Sequence, residues 1–183
     1  MKRFIAVLTL IPIGVVAAPI VPGLHGKHGL DQVHRGRLLI AELRCAGCHA
    51  SDTVKHKKGP DLSAVGSRVN PDYIQKFIVS PHSTDPGTQM PDLLAGSPER
   101  HEIAEALTHY LVSRSEEPFV AGAVKQEGVD AGKKLFERIG CVNCHLPDKG
   151  DQLSHVPSKY GIDSLSNFLF QPRHVRPSGR MPD

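Results

Sequence analysis

The sequence Cys-X-X-Cys-His occurs twice in the chain, and no other feature restricts the fold as strongly. The first copy begins at Cys45 and the second at Cys141, 96 positions later. All four cysteines of the chain lie in these two motifs. Two thiols at this spacing, followed at once by histidine, are the signal for covalent attachment of a c-type haem. The sequence therefore predicts two covalently bound haem c groups.

Each residue of the motif has its own part in binding haem. The two thiols form thioethers with the haem vinyl groups, and two intervening residues let one turn of backbone bridge the porphyrin edge. The histidine then lies under the ring, where its imidazole binds iron. The predicted covalent anchors are Cys45, Cys48, Cys141 and Cys144, and the predicted proximal iron ligands are His49 and His145.

The similarity between the two halves extends well beyond the motifs. Upstream, apolar and small residues recur at helical spacing with the same shift of 96, so that Gly36 corresponds to Gly132. Downstream the shift is 91, and it is kept from Gly59 as far as Met90, which matches Met181. A single gap after the motif reconciles the two shifts. The chain is therefore predicted to be a tandem duplication of one helical unit.

The sixth ligand of each iron must come from outside the motif. Apart from Met1, the methionines are Met90 and Met181, which lie at matching positions before a proline. A thioether in a loop held by prolines is well placed to bind iron, whereas the alternative is a methionine that only fills the core. A second alternative is ligation by two histidines, with His82 and His174 as candidates one position out of register.

Two other interpretations of the Cys-X-X-Cys pairs fit the sequence less well. A zinc site made from both pairs would close a loop of more than ninety residues, far longer than the usual zinc spacings. A thioredoxin-like redox pair needs a strand-helix-strand context, and no segment of the chain has convincing strand alternation.

Helices and loops are expected within each half. A capping residue followed by proline favours the start of a helix, and Pro81 and Pro172 are expected to end two helices. The predicted starts are Asn70-Pro71, Asp163 and Ser97-Pro98-Glu99, and the corresponding ends are near Val79, Phe170 and Val112.

The N-terminus is predicted to be a signal peptide over residues 1–18. Lys2 and Arg3 precede an apolar run that ends in small residues at Ala17 and Ala18. The run is too short and too interrupted for a membrane span, and an uncleaved anchor is the alternative. Removing Lys2 and Arg3 lowers the formal net charge from +3 to +1, which offers no basic footprint for nucleic acid. We therefore expect a periplasmic or otherwise exported protein without a membrane span in its mature chain.

Each half resembles a class I cytochrome c domain, and the pair resembles the dihaem cytochromes of the c4 type and similar tandem modules of larger bacterial oxidoreductases. The resemblance rests on a glycine-containing amphipathic helix, the Cys-X-X-Cys-His motif, Gly-Pro-Asp-Leu at 59–62 and methionine before proline. It implies that a backbone carbonyl of the 59–62 segment accepts the ring N–H of the proximal histidine. The second half has Gly-Asp-Gln-Leu at 150–153 and lacks the proline.

The resemblance implies a mainly α fold of two tandem cytochrome c-like helical domains. The first is expected at residues 30–113, the linker at 114–124 and the second at 125–183. The second is expected to lack its C-terminal helix, because the sequence stops two residues after Met181. A fragment of a longer gene product is the favoured explanation, with an incomplete domain as the alternative.

The resemblance also implies electron transfer rather than catalysis. Haem iron that has histidine and methionine as axial ligands has no open site for substrate, so no catalytic residue is predicted. The expected partners are redox proteins: a dehydrogenase or quinol-oxidising donor and a terminal acceptor. The alternatives are an electron-transfer module of a larger oxidoreductase and a dihaem peroxidase, which needs an openable distal site.

Overall fold

Helices joined by loops make up the fold, as the sequence predicts. The computed structural model describes residues 29–50, 59–145 and 153–182. In those ranges the only β pairing is two isolated bridges, one between His49 and Gly59 and one between Val69 and Tyr160. None of the helices seen there has the length and apolar character needed to cross a membrane. The predicted signal peptide at 1–18 lies outside the described residues.

The helices of the second half repeat those of the first. The bounds of α7, α8 and α9 are displaced by 91 positions from those of α2, α3 and α4, and α6 ends 96 positions after α1. A turn of 3-10 helix, Cys45–Gly47 or Cys141–Asn143, follows each of α1 and α6. The described helices are α1 Gln32–Glu42, α2 Val65–Arg68, α3 Pro71–Val79, α4 Pro81–Thr84, α5 Arg100–Ser113, α6 Gln126–Arg138, α7 Val156–Lys159, α8 Ile162–Phe170 and α9 Pro172–Val175.

The predicted start of α3 is confirmed in detail. The side chain of Asn70 accepts a hydrogen bond from the backbone N–H of Asp72 at 3.0 Å, and proline occupies the first helical position. This is the usual way of satisfying an N–H group that lacks a partner inside the helix. The helix ends at Val79, as predicted, and Pro81 then begins the one-turn helix α4.

The predicted cap of α8 is wrong. Asp163 lies inside the first turn, and the N-cap is Gly161, whose N–H donates to the hydroxyl of Ser164 at 3.0 Å. A Cβ at position 161 would lie 2.1 Å from the carbonyl oxygen of Val120. Glycine is needed there because the linker backbone comes so close. The acidic residue in the first turn is still favourable, because that end of a helix carries partial positive charge.

The core of the first half lies where α1 crosses α5. A Cβ built at Gly36 would lie 2.0 Å from the carbonyl oxygen of Ala106 and 2.5 Å from Cβ of Tyr110. The two backbones therefore approach as closely as glycine permits. This contact lets the apolar faces of both helices interlock. The buried cluster around it consists of Leu39, Leu94, Ile103, Ala104, Ala106 and Leu107.

The corresponding helix of the second half, α6, keeps its apolar face uncovered by any described residue. A Cβ at Gly132 would meet no atom within 4 Å. Val129, Leu135 and Ile139 are 46%, 41% and 71% exposed. Within the described part of the chain, no element takes the place on α6 that α5 takes on α1.

The two equivalent glycines should therefore respond in opposite ways to the same substitution. Gly36→Ala forces a methyl group against the α5 backbone, and we expect the free energy of unfolding to fall by about 1–3 kcal/mol. Gly132→Ala adds the same methyl group in open space and should raise it by up to about 1 kcal/mol through helix propensity. Guanidinium unfolding of the haem-loaded protein, followed by far-UV circular dichroism, measures both. A Gly36→Ala protein as stable as Gly132→Ala would contradict the close packing of α1 against α5.

Candidate haem-binding site

A sharp backbone reversal precedes each Cys-X-X-Cys-His motif. Arg44 has a φ of 53° and the equivalent Gly140 has a φ of 91°, so both lie in the left-handed region. The motif then forms one turn of 3-10 helix. In the first half the N–H of His49 donates to the carbonyl of Cys45 at 3.0 Å, and the same bond in the second half measures 2.9 Å. The two motifs therefore have the same local backbone.

A backbone carbonyl orients the ring of His49. Its Nδ1 lies 2.9 Å from the carbonyl oxygen of Pro60. Because a carbonyl oxygen can only accept, Nδ1 must carry the hydrogen, and in a neutral imidazole Nε2 is left with the lone pair. That is the form in which histidine binds a metal, and a partner on the other ring nitrogen also raises its basicity. The contact that the resemblance implied for residues 59–62 is present.

Gly59 allows this carbonyl to reach the histidine. Its N–H donates to the carbonyl of Cys48 at 2.8 Å. A Cβ at this position would lie 2.8 Å from Nδ1 of His49 and 2.9 Å from the Cys48 oxygen. Distances below 3 Å to a ring and to backbone leave no room for a side chain. The glycine is therefore part of the support for the histidine.

The cysteine thiols are unpaired, and burial disfavours the ionisation of one of them. Cys45 and Cys48 form no disulfide, and neither do Cys141 and Cys144. Burial raises the pKa of the Cys45 thiol, which disfavours the thiolate that a redox-active pair requires. In the ranges with described coordinates, no three His, Cys, Asp or Glu side chains come together in a group that could hold a metal ion.

The surroundings of the second histidine, His145, are described only in part. Nδ1 of His145 is buried and has no hydrogen-bond partner among the described residues. The stretch 146–152 lies outside them, and most of the 150–153 segment that corresponds to 59–62 belongs to it. The contact between that segment and His145 stays a prediction.

The two candidate methionines follow equivalent helices. Met90 comes after α4 and Met181 after α9, and both are partly exposed. The loop before Met90 is ordered by a turn in which Thr88 N–H donates to the carbonyl of Asp85 at 3.0 Å and Met90 N–H donates to the Thr88 hydroxyl at 3.2 Å. Their assignment as axial ligands stays a prediction.

The competing histidine candidates are both on the surface. His82 and His174 are exposed, as are His101 and His109. His155 is half-buried instead, with its ring 6.5 Å from that of Tyr73. Ligation by His82 and His174 stays the alternative to the two methionines.

The family model described as cytochrome c matches residues 33–115. This segment contains the first motif and runs from α1 to just beyond the end of α5. The match shows that this segment is similar to cytochrome c domains, a class of domain that binds haem c covalently and serves electron transfer in general. Neither a curated protein nor a solved structure matches the chain.

The residues of this segment fit the haem that the family implies. His49 presents Nε2 with its lone pair, because Nδ1 is engaged by Pro60. Cys45 and Cys48 lie on the adjoining turn as free thiols. When bound, haem c supplies an iron that gains and loses one electron. Sequence reasoning identified each of these residues but missed the left-handed position before the motif.

Gly59→Ala should therefore disturb the histidine, while the neighbouring glycine of the motif should tolerate the same change. We expect Gly59→Ala to lower the free energy of unfolding by about 1–3 kcal/mol, because the added methyl group displaces His49 or the Pro60 carbonyl. Gly47→Ala is the matched control, since a Cβ there meets no atom within 4 Å. Denaturant unfolding followed at the haem absorption band measures both. Equal stability of the two variants would contradict the support role of Gly59.

Proposed function

We propose that the protein is a periplasmic c-type cytochrome with two haems, which carries electrons between redox partner proteins. The observation that carries the proposal is the repeated backbone around the second motif. The left-handed residue, the 3-10 turn and three following helices recur there with the displacements found in the sequence. A motif that only resembled an attachment site by chance would not share this whole setting.

The residues proposed for each centre have separate tasks. Cys45 and Cys48 would anchor the first haem, His49 would bind its iron on one side and Met90 on the other. In the second centre these tasks would fall to Cys141, Cys144, His145 and Met181.

Occupied axial positions favour electron transfer over the alternative of a dihaem peroxidase. Peroxide chemistry needs an iron with an open or openable side, and a methionine on each iron would close that side. The chain would then receive electrons from a dehydrogenase or quinol-oxidising donor and give them to a terminal acceptor. As a module of a larger oxidoreductase it would perform the same task within one polypeptide.

Export follows from the proposed chemistry and from the N-terminal sequence. Cytochrome c domains are usually exported, and residues 1–18 have the pattern of a signal peptide. We therefore place the mature protein in the periplasm.

The number of haems is tested by the mass of the intact protein, expressed in a host that attaches c-type haem. The parent protein should carry two haems. Cys141→Ala with Cys144→Ala should carry one, and Cys45→Ala with Cys48→Ala should carry the other. A parent protein with a single haem would overturn the proposal for the second motif and leave the cytochrome c domain intact.

The methionine ligands are tested by absorption spectroscopy of the oxidised protein. Met90→Ala should remove the methionine-to-iron band of the first centre, and Met181→Ala that of the second, because no other thioether is near in sequence. His82→Ala is the matched control and should leave both bands unchanged. Retention of the bands in both methionine variants would sink the assignment. Rapid turnover of hydrogen peroxide by the parent protein would favour the peroxidase instead.

A further inference from the structure

The two halves of the chain meet through equivalent positions. Val69 pairs with Tyr160 in an antiparallel bridge, and the N–H of Asn70 donates to the carbonyl of Lys159 at 3.0 Å. Val69 and Tyr160 are 91 positions apart, which is the displacement that relates α2, α3 and α4 to α7, α8 and α9. The contact therefore joins one position of the repeat to its own counterpart.

A second contact has the same property. Nη2 of Arg176 lies 3.7 Å from Oδ2 of Asp85, and these residues are again 91 positions apart. Around a two-fold axis, a residue close to the axis meets its own copy. Two such contacts indicate that a local two-fold axis relates the halves and passes near both pairs.

The two halves present different side chains at this axis. The amine of Lys159 lies 5.3 Å from the ring centroid of Tyr73 and 5.0 Å from that of Tyr160. The counterpart of Tyr73 is Ser164, which has no ring to receive a cation. Arg68, the counterpart of Lys159, donates instead to the carbonyl of Asp61 in its own half. The halves therefore differ in the residues that face each other.

We infer that this surface selects its partner by charge: the first half is built to bind the second half of the same chain and to reject a copy of itself. Pairing two first halves about the same axis would set Asp85 against Asp85, and pairing two second halves would set Arg176 against Arg176. Like charges at a partly buried contact oppose association. The side chains of Asp85 and Arg176 are 13% and 35% exposed, so solvent screens the contact only in part.

Lys159, which lies near Asp85 and Arg176, strengthens this selection by charge. Burial and, to a smaller extent, the nearby Arg176 together lower the pKa of Lys159 to about 8, and the carboxylate of Asp85 opposes this decrease. Asp85 is therefore the counter-charge for two cations of the other half. Replacing it with a cation would leave three positive charges together.

This selection has a consequence that rests on the proposed function. Because the halves are held in one arrangement, the two Cys-X-X-Cys-His sites keep one separation. A fixed separation would give electron exchange between two bound haems a single rate.

Amide hydrogen exchange of the haem-loaded chain tests the inference, since the N–H of Asn70 bonds across the interface. In Asp85→Arg and in Arg176→Asp we expect exchange near Asn70 to accelerate about tenfold, because attraction is replaced by repulsion. The double variant, Asp85→Arg with Arg176→Asp, swaps the two charges, and its rate of hydrogen exchange near Asn70 should return to within about threefold of the parent rate. Lys134→Asp makes the same change of charge as Arg176→Asp, but on the exposed helix α6, and should not alter exchange near Asn70.

Unchanged hydrogen exchange in both single variants would overturn the inference. Accelerated exchange that the double variant fails to reverse would overturn it as well. If a single variant also loses protection from hydrogen exchange in α1 and α5, the outcome is decided by whether the double variant recovers that protection. Haem content is measured by mass on the same samples. A chain with one haem would refute the proposed function while leaving the exchange result valid.

Discussion

The crossing of α1 and α5 at Gly36 is the contact on which the first half depends. It brings two helices from opposite ends of the domain together, and the residues around it form the buried cluster. Leu43, in the turn after α1, packs against that cluster. The turn before the motif is therefore attached to the core, and the direction in which the chain enters Cys45–Gly47 is fixed by packing rather than by the motif itself.

From this anchored turn the histidine is placed in two further steps. The left-handed backbone at Arg44 reverses the chain, and the 3-10 turn sets the direction of His49. The ring is then held by the Pro60 carbonyl, which Gly59 brings within reach. Hydrophobic packing, a backbone reversal and one hydrogen bond thus act in series. The close contacts at Gly36 and Gly59 leave little freedom in residue type, which explains why these glycines stand out in the sequence, whereas the reversal at Arg44 does not.

Local signals predicted local structure well, and long-range contacts left no such signal. The bounds of α3 follow from capping residues, which act within a few positions. The carbonyl contact of His49 follows only from the resemblance to cytochrome c domains, because it joins residues eleven positions apart. The predicted cap at Asp163 is wrong because an acidic residue near a helix start gives a stronger sequence signal than Gly161, the residue that caps α8. Arg44 gave no sign of its positive φ, which only its counterpart Gly140 suggests. Facing charges 91 positions apart are visible only once the halves are folded together.

The two halves share one repeat, but different contacts stabilise each of them. Among the described residues, the buried hydrophobic core lies wholly between Leu39 and Leu111, and α6 has no buried residue. What holds α8 is contact with other parts of the chain: its first N–H, at Ile162, donates to the linker carbonyl of Ala121 at 2.9 Å. The preceding loop adds the bridge from Tyr160 to the first half. Because helices this short are not stable alone, the interface between the halves contributes to the folding of the second half as well as to its position.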